Sequence, residues 1–196
     1  ECVYCQEHTL ASDPVAVAAW SDRELTPRQI WKTSSQYVWV SCVKCGKETR
    51  KQAIRIHKGA CALCANPNEK AVYDMLIRDG HYSVKHQVVE GAFRFDFVVD
   101  DWIIVEVDGP QHFCPVRSWK TGFDQFQKDI EKEDHVRATK RAMIRILQED
   151  IKNDTHDWKE YLSESLSRVT AGQIVTPNRP QYREGVYARQ RVMEFF

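Results

Sequence analysis

Apolar residues fall at helical spacing directly after Asn66-Pro67-Asn68, where Ala71, Val72, Met75 and Leu76 share one face until Gly80 stops the run. Asn68 reads as the cap of this helix and Glu69 as an acid in its first turn. The period then changes from helical to extended. Residues 81–89 alternate and are partly β-branched, 92–99 are aromatic and apolar, and 102–107 form a short run of the fully buried kind. Gly91 separates the first two and Asp100-Asp101 the next two, so a meander is the simplest topology. A long polar helix is predicted over 125–141, a strand over 142–147 and an amphipathic helix over 158–169. The order helix, three strands, helix, strand, helix predicts an α/β domain.

No apolar stretch approaches the roughly 20 residues needed to span a bilayer, and no leader opens the chain. The expected setting is intracellular, with no membrane partner. With 196 residues, of which 42% are hydrophobic, the chain is long enough for one domain of catalytic size plus a small one. The charge sum is zero, but its distribution is uneven. Residues 1–65 hold nine Lys/Arg against six Asp/Glu, 66–175 fifteen against twenty, and 176–196 four against two. An acidic middle between basic ends is compatible with a nucleic-acid partner, since a metal-dependent nuclease needs carboxylates for the ion and cations for the phosphates.

Six of the seven cysteines form C-x-x-C pairs: Cys2 with Cys5, Cys42 with Cys45, and Cys61 with Cys64. The last two read C-x2-C-x15-C-x2-C, a spacing that gathers four thiolates for tetrahedral Zn2+. A pair of disulfides is the alternative, which the absence of a leader disfavours. Four protein ligands leave no open position, so this zinc is expected to be structural. Cys2 and Cys5 precede Cys61 and Cys64 by 59 residues and repeat their form. The expectation is a second zinc site, completed either by upstream zinc repeats of the same chain or by His8 or His57. Between the cysteine pairs lie Lys44, Lys47, Arg50, Lys51, Arg55 and Lys58, which beside Trp39 form a candidate phosphate-tracking surface or an ordinary solvated face. Cys114 reads as a buried thiol.

Acids within the apolar strands carry the candidate chemistry. Asp96 lies in Phe93-Arg-Phe-Asp-Phe97, and Glu106 and Asp108, two apart on the next strand, point to one face. Adjacent strands would bring Asp96 and Glu106 into one coordination shell for Mg2+ or Mn2+, which would polarise a phosphate and activate water. The alternative is carboxylates paired with Arg94 and Lys85. His112 follows the turn Asp108-Gly109-Pro110-Gln111 and is a candidate base, acid or further ligand. Glu69 is expected either to reach the ion through water or to complement its helix dipole.

Two resemblances follow from these residues. Leu10-Ala-Ser-Asp-Pro14, Ala19-Trp20, Leu25-Thr26-Pro27, Val38-Trp39-Val40-Ser-Cys42-Val-Lys-Cys45-Gly46 and Gly59-Ala-Cys61-Ala-Leu-Cys64 resemble the probable zinc-ribbon repeats, treble-clef-like modules that recur in arrays near nuclease domains. Glu69, Phe95-Asp96-Phe97 and Ile104-Val-Glu106-Val-Asp108-Gly109-Pro-Gln111-His112-Phe113 resemble the PD-(D/E)XK nucleases, closest to very-short-patch-repair and EDxHD homing endonucleases. This second match extends to Asp129, Lys132 and Ile144-Arg145-Ile146. It implies a restriction-endonuclease-like mixed sheet flanked by helices, and metal-dependent cleavage of DNA. Asp96 and Glu106 would be ligands, His112 the acid or base, and Glu69, Asp108 and Gln111 further members of the catalytic set. The lysine expected two residues after the second acid is replaced by Asp108, so its role passes to Gln111, His112 or Lys85, or is lost. Glu106-Val-Asp108-Gly109-Pro110-Gln111-His112-Phe113 also resembles the RAP domain, which implies an RNA-binding or RNA-processing module. A zinc-scaffolded interaction domain without nucleic acid is a third reading.

The expected organisation is a zinc-ribbon module over 1–65, a nuclease-like domain over 66–175 and a basic aromatic tail over 176–196. In the tail, Arg179, Arg183, Arg189 and Arg191 interleave with Tyr182, Tyr187 and Phe195-Phe196. That mix suits either nucleic-acid contact or packing against the domain.

Overall fold

The computed structural model describes residues 7–59, 61–78, 80–113 and 122–184, without the side chains of 57, 58 and 122–125. The chain divides into two units, Glu1–Pro67 and Asn68–Phe196. In the first, Asp13 starts helix α1 (Pro14–Ala19), its Oδ1 accepting from Val15 N at 2.9 Å and Ala16 N at 3.1 Å. Pro14 costs nothing in the first turn, where its missing N–H has no helical partner. An antiparallel hairpin follows, β1 (Tyr37–Ser41) against β2 (Glu48–Gln52). Val38 and Val40 point into a small core with Leu10, Ala16, Ala19, Ile30, Ala53 and Ile56, while Tyr37 and Trp39 point outward. Helix α2 (Ala62–Ala65) closes the unit.

The second unit begins with α3 (Pro67–Ile77). Because this helix opens at Pro67, Asn68 lies within its first turn and does not cap it. A five-stranded mixed sheet follows, in the order β3 (Val84–Glu90), β4 (Phe93–Val99), β5 (Ile103–Asp108), β6 (Ala142–Leu147), β7 (Ile174–Val175). The first three strands form the expected meander, antiparallel throughout. Its second turn is tight because Asp100 and Asp101 both take left-handed φ, 49° and 64°, and Trp102 N–H donates to the Val99 carbonyl. Strand β6 lies parallel to β5, reached through α4 (Gly122–Ala138), and β7 lies parallel to β6. Every residue of β6 is buried, the mark of a central strand covered on both faces.

Helix α4 covers one face of the sheet, where Val136 meets Phe95, Val98, Ile104 and Met143. Burying such side chains contributes roughly 1.5–3 kcal/mol each. Three further helices, α5 (Gln148–Asn153), α6 (Trp158–Arg168) and α7 (Pro180–Arg183), complete the described part, with α6 against β6. Neither α5 nor β7 is expected from the sequence pattern, both being short. The architecture is thus mixed α/β, a mixed sheet flanked by helices. None of the described helices is long and apolar enough to cross a membrane.

Strand β4 turns over at Asp96. Phe95 and Val98 are three residues apart yet enter the same core cluster, which regular alternation forbids. Opposite Asp96, Gln87 has φ 54°, and the ladder skips this pair between His86↔Phe97 and Val88↔Phe95. On the other side, pairing with β5 runs only from Val99↔Ile103 to Phe97↔Val105 and then stops. A fork opens there between β4 and β5.

Candidate functional site

The fork frees backbone N–H groups that the sheet would otherwise use, and the acids take them. Val107 N–H donates to Asp96 Oδ2 at 2.9 Å, and Asp96 N–H reaches Glu106 Oε1 at 3.4 Å. Each acid thus accepts from the backbone of the other's strand. Lys132, on α4, donates to Glu106 Oε2 at 2.7 Å. On the opposite side Gln87 Nε2 bridges Asp96 Oδ1 at 3.1 Å and Glu69 Oε2 at 3.0 Å, and Glu69 is also hydrogen-bonded to His86 Nε2. Gln87 thus links Glu69 to Asp96, the Asp96 N–H links Asp96 to Glu106, and Lys132 meets Glu106 alone.

This pair of carboxylates is under electrostatic strain. Burial pushes Glu106 up to about 7, the neighbouring charge of Asp96 adds to the shift, and Lys132 opposes it. Asp96 is also raised, by burial and by Glu69 and Asp108, against the pull of the Val107 N–H and Lys132. Buried Glu106 and half-buried Asp96 thus share one neighbouring ammonium, that of Lys132 on Glu106.

Asp108 and His112 belong to a second, more deeply buried set. Arg145, fully buried, donates from Nε to Asp108 Oδ2 at 2.6 Å, from Nη2 to Asp108 Oδ1 at 2.8 Å and from Nη1 to Glu133 Oε1 at 2.9 Å. Tyr182 Oη donates to Asp108 Oδ2 at 2.6 Å. With three donors on its two oxygens, Asp108 is held at the end of β5. Burial opposes its ionisation, yet Arg145 and His112 hold its carboxyl below the usual range. His112 Nδ1 lies 2.6 Å from Asp129 Oδ2. Burial works against its charge, but Asp108 and Asp129 together raise it above the ordinary imidazole value. Its hydrogen bonds run to this set and not to Asp96 or Glu106. Gln111 folds its amide over Gly109, where a Cβ would meet Gln111 Oε1 at 2.4 Å and Gln148 Oε1 at 2.8 Å. Both contacts are with the mobile ends of glutamine side chains, which a side chain at 109 would displace.

Of the groups expected to replace the missing lysine, Lys85 is paired with exposed Asp101, and His112 is hydrogen-bonded to Asp129. Lys132 is the cation at Glu106. A signal for it exists in the sequence: Asp129, Lys132, Glu133 and Val136 recur at i, i+3, i+4, i+7, a polar stripe on the face that also carries the apolar contact. Gln87, inside an alternating strand, gives no such signal.

In the first unit Cys42, Cys45, Cys61 and Cys64 are free thiols whose sulfurs lie within 4.8 Å of one another, a group able to hold a metal ion such as zinc. The Cys45 and Cys61 sulfurs are 3.9 Å apart. Thiolates at 2.3 Å from a tetrahedral zinc stand about 3.8 Å apart, so the residues fit the ion. Cys61 N–H donates to Cys42 Sγ at 3.2 Å, and Cys64 N–H to Cys61 Sγ at 3.4 Å. Burial disfavours the Cys42 thiolate, but backbone donors from Cys61, Lys44 and Cys45 outweigh it and bring this thiol down to about 6. Burial and the neighbouring sulfurs push Cys64 up to about 12. Loading the site must therefore release protons, and zinc affinity is expected to fall as pH drops below neutrality. Cys42→Ser should lose stoichiometric zinc and lower the melting temperature of this unit, read by metal analysis and circular dichroism. A variant that keeps one equivalent of zinc would show that Cys42 is not a ligand.

Among the described residues this is the one group of three or more His, Cys, Asp or Glu ligands that converges so tightly. Cys2, Cys5 and Cys114 lie outside the described residues, and His8 stacks on Trp31 at 6.0 Å. The basic residues between the cysteines do not form one stripe. Arg50 stands across from exposed Trp39, Lys51 across from buried Val38 on the other pleat, and Lys44 Nζ donates to the Cys64 carbonyl at 3.4 Å. Lys47 and Arg55 are exposed, and the Lys58 side chain is outside the described set. Of the tail, Arg179 pairs with Asp150 and Tyr182 is buried, so its described part packs against the domain, whereas 185–196 fall outside the described residues. No protein-family model, curated protein or solved structure matches the chain.

Proposed function

We propose that the second unit is a metal-dependent DNA endonuclease of restriction-endonuclease-like fold, and that the first is a zinc-ribbon module that assists DNA binding. The observation that carries the reading is the fork, where Asp96 and Glu106 interlock across parted strands and Lys132 sits on Glu106. Asp96 and Glu106 would hold Mg2+ or Mn2+, which supplies charge neutralisation at the phosphate and a more acidic bound water. Lys132, which donates to Glu106, would orient that water or stabilise charge developing on the phosphate. Gln87 and Glu69 fix Asp96 from behind. His112, whose charged form Asp108 and Asp129 favour against burial, suits a proton donor better than a base.

The test is cleavage of supercoiled plasmid and of labelled single-stranded, duplex and branched DNA with Mg2+, Mn2+ or EDTA, run beside Asp96→Ala. Metal-dependent product from the parent and none from the variant is the expected result. Wild-type cleavage rates from a folded Asp96→Ala preparation would remove the mechanism. Salt-sensitive binding of RNA with no cleavage of any substrate would replace it with the RAP-like recognition module.

A further inference from the structure

A cavity of about 410 Å3 opens at the carboxyl ends of the parallel strands β5 and β6, beside the end of the acidic fork. Its size lies within the range of small-molecule sites, roughly 300–1,000 Å3. Pro110, Phe113 and Leu147 form its apolar wall, and the carboxamides of Gln148, Asn153 and Gln181 line it too. Gln181 lines the cavity, and its Oε1 is buried with no hydrogen-bond partner. An acceptor left so costs roughly 1–3 kcal/mol, a cost relieved if the amide turns into the cavity to meet an N–H or O–H donor. Phe113 is braced edge-on by Tyr182, with ring centroids 5.0 Å apart at 85°, which gives the cavity a rigid aromatic side. Carboxamides offer both donors and acceptors in a plane, the pattern that reads the edge of a flat heterocycle.

The geometry points to a nucleobase pocket: one unpaired base of the substrate enters this cavity, with Gln181 Oε1 accepting from its amino or imino N–H. Phe113 and Leu147 cover the base, while Gln148 and Asn153 meet its remaining polar edge. Asp108 lines the cavity and lies two residues beyond Glu106 on β5, so about 7 Å of strand separates the pocket from the fork. A phosphate at the fork would thus belong to a nucleotide next to the captured base, a placement that rests on the nuclease reading. The chemistry of the pocket does not. Extracting a base from a paired duplex costs a few kcal/mol and from a bulge much less, so the pocket selects substrates already unpaired at one position.

The experiment uses the full chain in EDTA, with a labelled duplex carrying one bulged 2-aminopurine and the same duplex fully paired. Anisotropy reads affinity, and 2-aminopurine fluorescence reads the environment of the base. The expected result is about tenfold or greater preference for the bulged duplex. Gln181→Leu should bring both duplexes to within about threefold of each other, while Gln181→Glu, which keeps the acceptor, retains the preference. Equal affinity of the wild-type chain for the two duplexes, binding to neither, or an undiminished preference in Gln181→Leu would each overturn the inference. If the nuclease reading alone fails, the preference persists while neither duplex is cut on adding Mg2+. If the pocket alone fails, both duplexes are bound and cut alike.

Discussion

Glu106→Gln is expected to reduce metal-dependent cleavage by at least about a thousandfold, the scale of losing several kcal/mol of charge stabilisation at the phosphate. The same substitution should make the metal-free protein more stable at pH 8. The folded protein holds Glu106 protonated up to about 7, above the ordinary 4.5, so between those values it keeps a proton that the unfolded chain has released. Stability from this residue is full below the ordinary carboxylate value and declines as pH rises, the whole cost being felt above about 7. A neutral amide removes that cost and gives up the contact with Lys132, for a net gain on the order of 2 kcal/mol, or several degrees of melting temperature in a chain of this size. Thermal unfolding at pH 5 and pH 8 checks it: the variant should gain at pH 8 and differ little at pH 5. Added Mg2+ should stabilise the parent and leave the variant unmoved. No gain at pH 8 would mean that Glu106 is not the strained acid described above.

The second large effect concerns Arg145, whose guanidinium is fully buried between Asp108 and Glu133, with Asp129 at 3.5 Å. Arg145→Met keeps much of the apolar stem and removes the charge, leaving these acids buried beside one another. Breaking a buried ion pair from one side costs about 3–5 kcal/mol, largely as the penalty of the partner left behind. Urea unfolding should report a loss of that order, and adding Asp108→Leu to Arg145→Met should recover part of it. A loss below about 1 kcal/mol would contradict the network as drawn. Its pH dependence is bounded on both sides. The contribution of Asp108 is present above the ordinary carboxylate value and is lost as pH falls through its lowered folded value. That of His112 is complete below the ordinary imidazole value and is lost as pH rises through its raised folded value.

The apolar periods of the sequence place the long elements within a few residues, because helix α4, the meander and β6 each have one dominant pattern over six residues or more. Short elements carry too few periods to be read. Helix α5 and the two-residue β7 become visible only once β6 is in place to receive them. The cysteine spacing is legible for a different reason: two close pairs need only one loop to bring them together, and local geometry does the rest. The acids in the strands are legible as anomalies of burial, and Asp96 and Glu106 do meet. What they meet alongside is not local. Lys132 comes from 26 residues beyond Glu106 and Gln87 from nine before Asp96, and their arrival depends on the packing of α4 and on the left-handed turn at Gln87. For Asp108, alternation gives the facing direction correctly but says nothing of Arg145 or Tyr182, which determine what its carboxylate does.

The fork also makes the protein its own instrument. Two peptide amides, those of Val107 and Asp96, donate directly to the Asp96 and Glu106 carboxylates. An amide proton resonance moves when its acceptor changes charge, so two backbone signals record protonation or cation capture as they happen, without label or substrate. A pair of acids set into a gap of the sheet ladder can thus be followed by nuclear magnetic resonance on the protein alone.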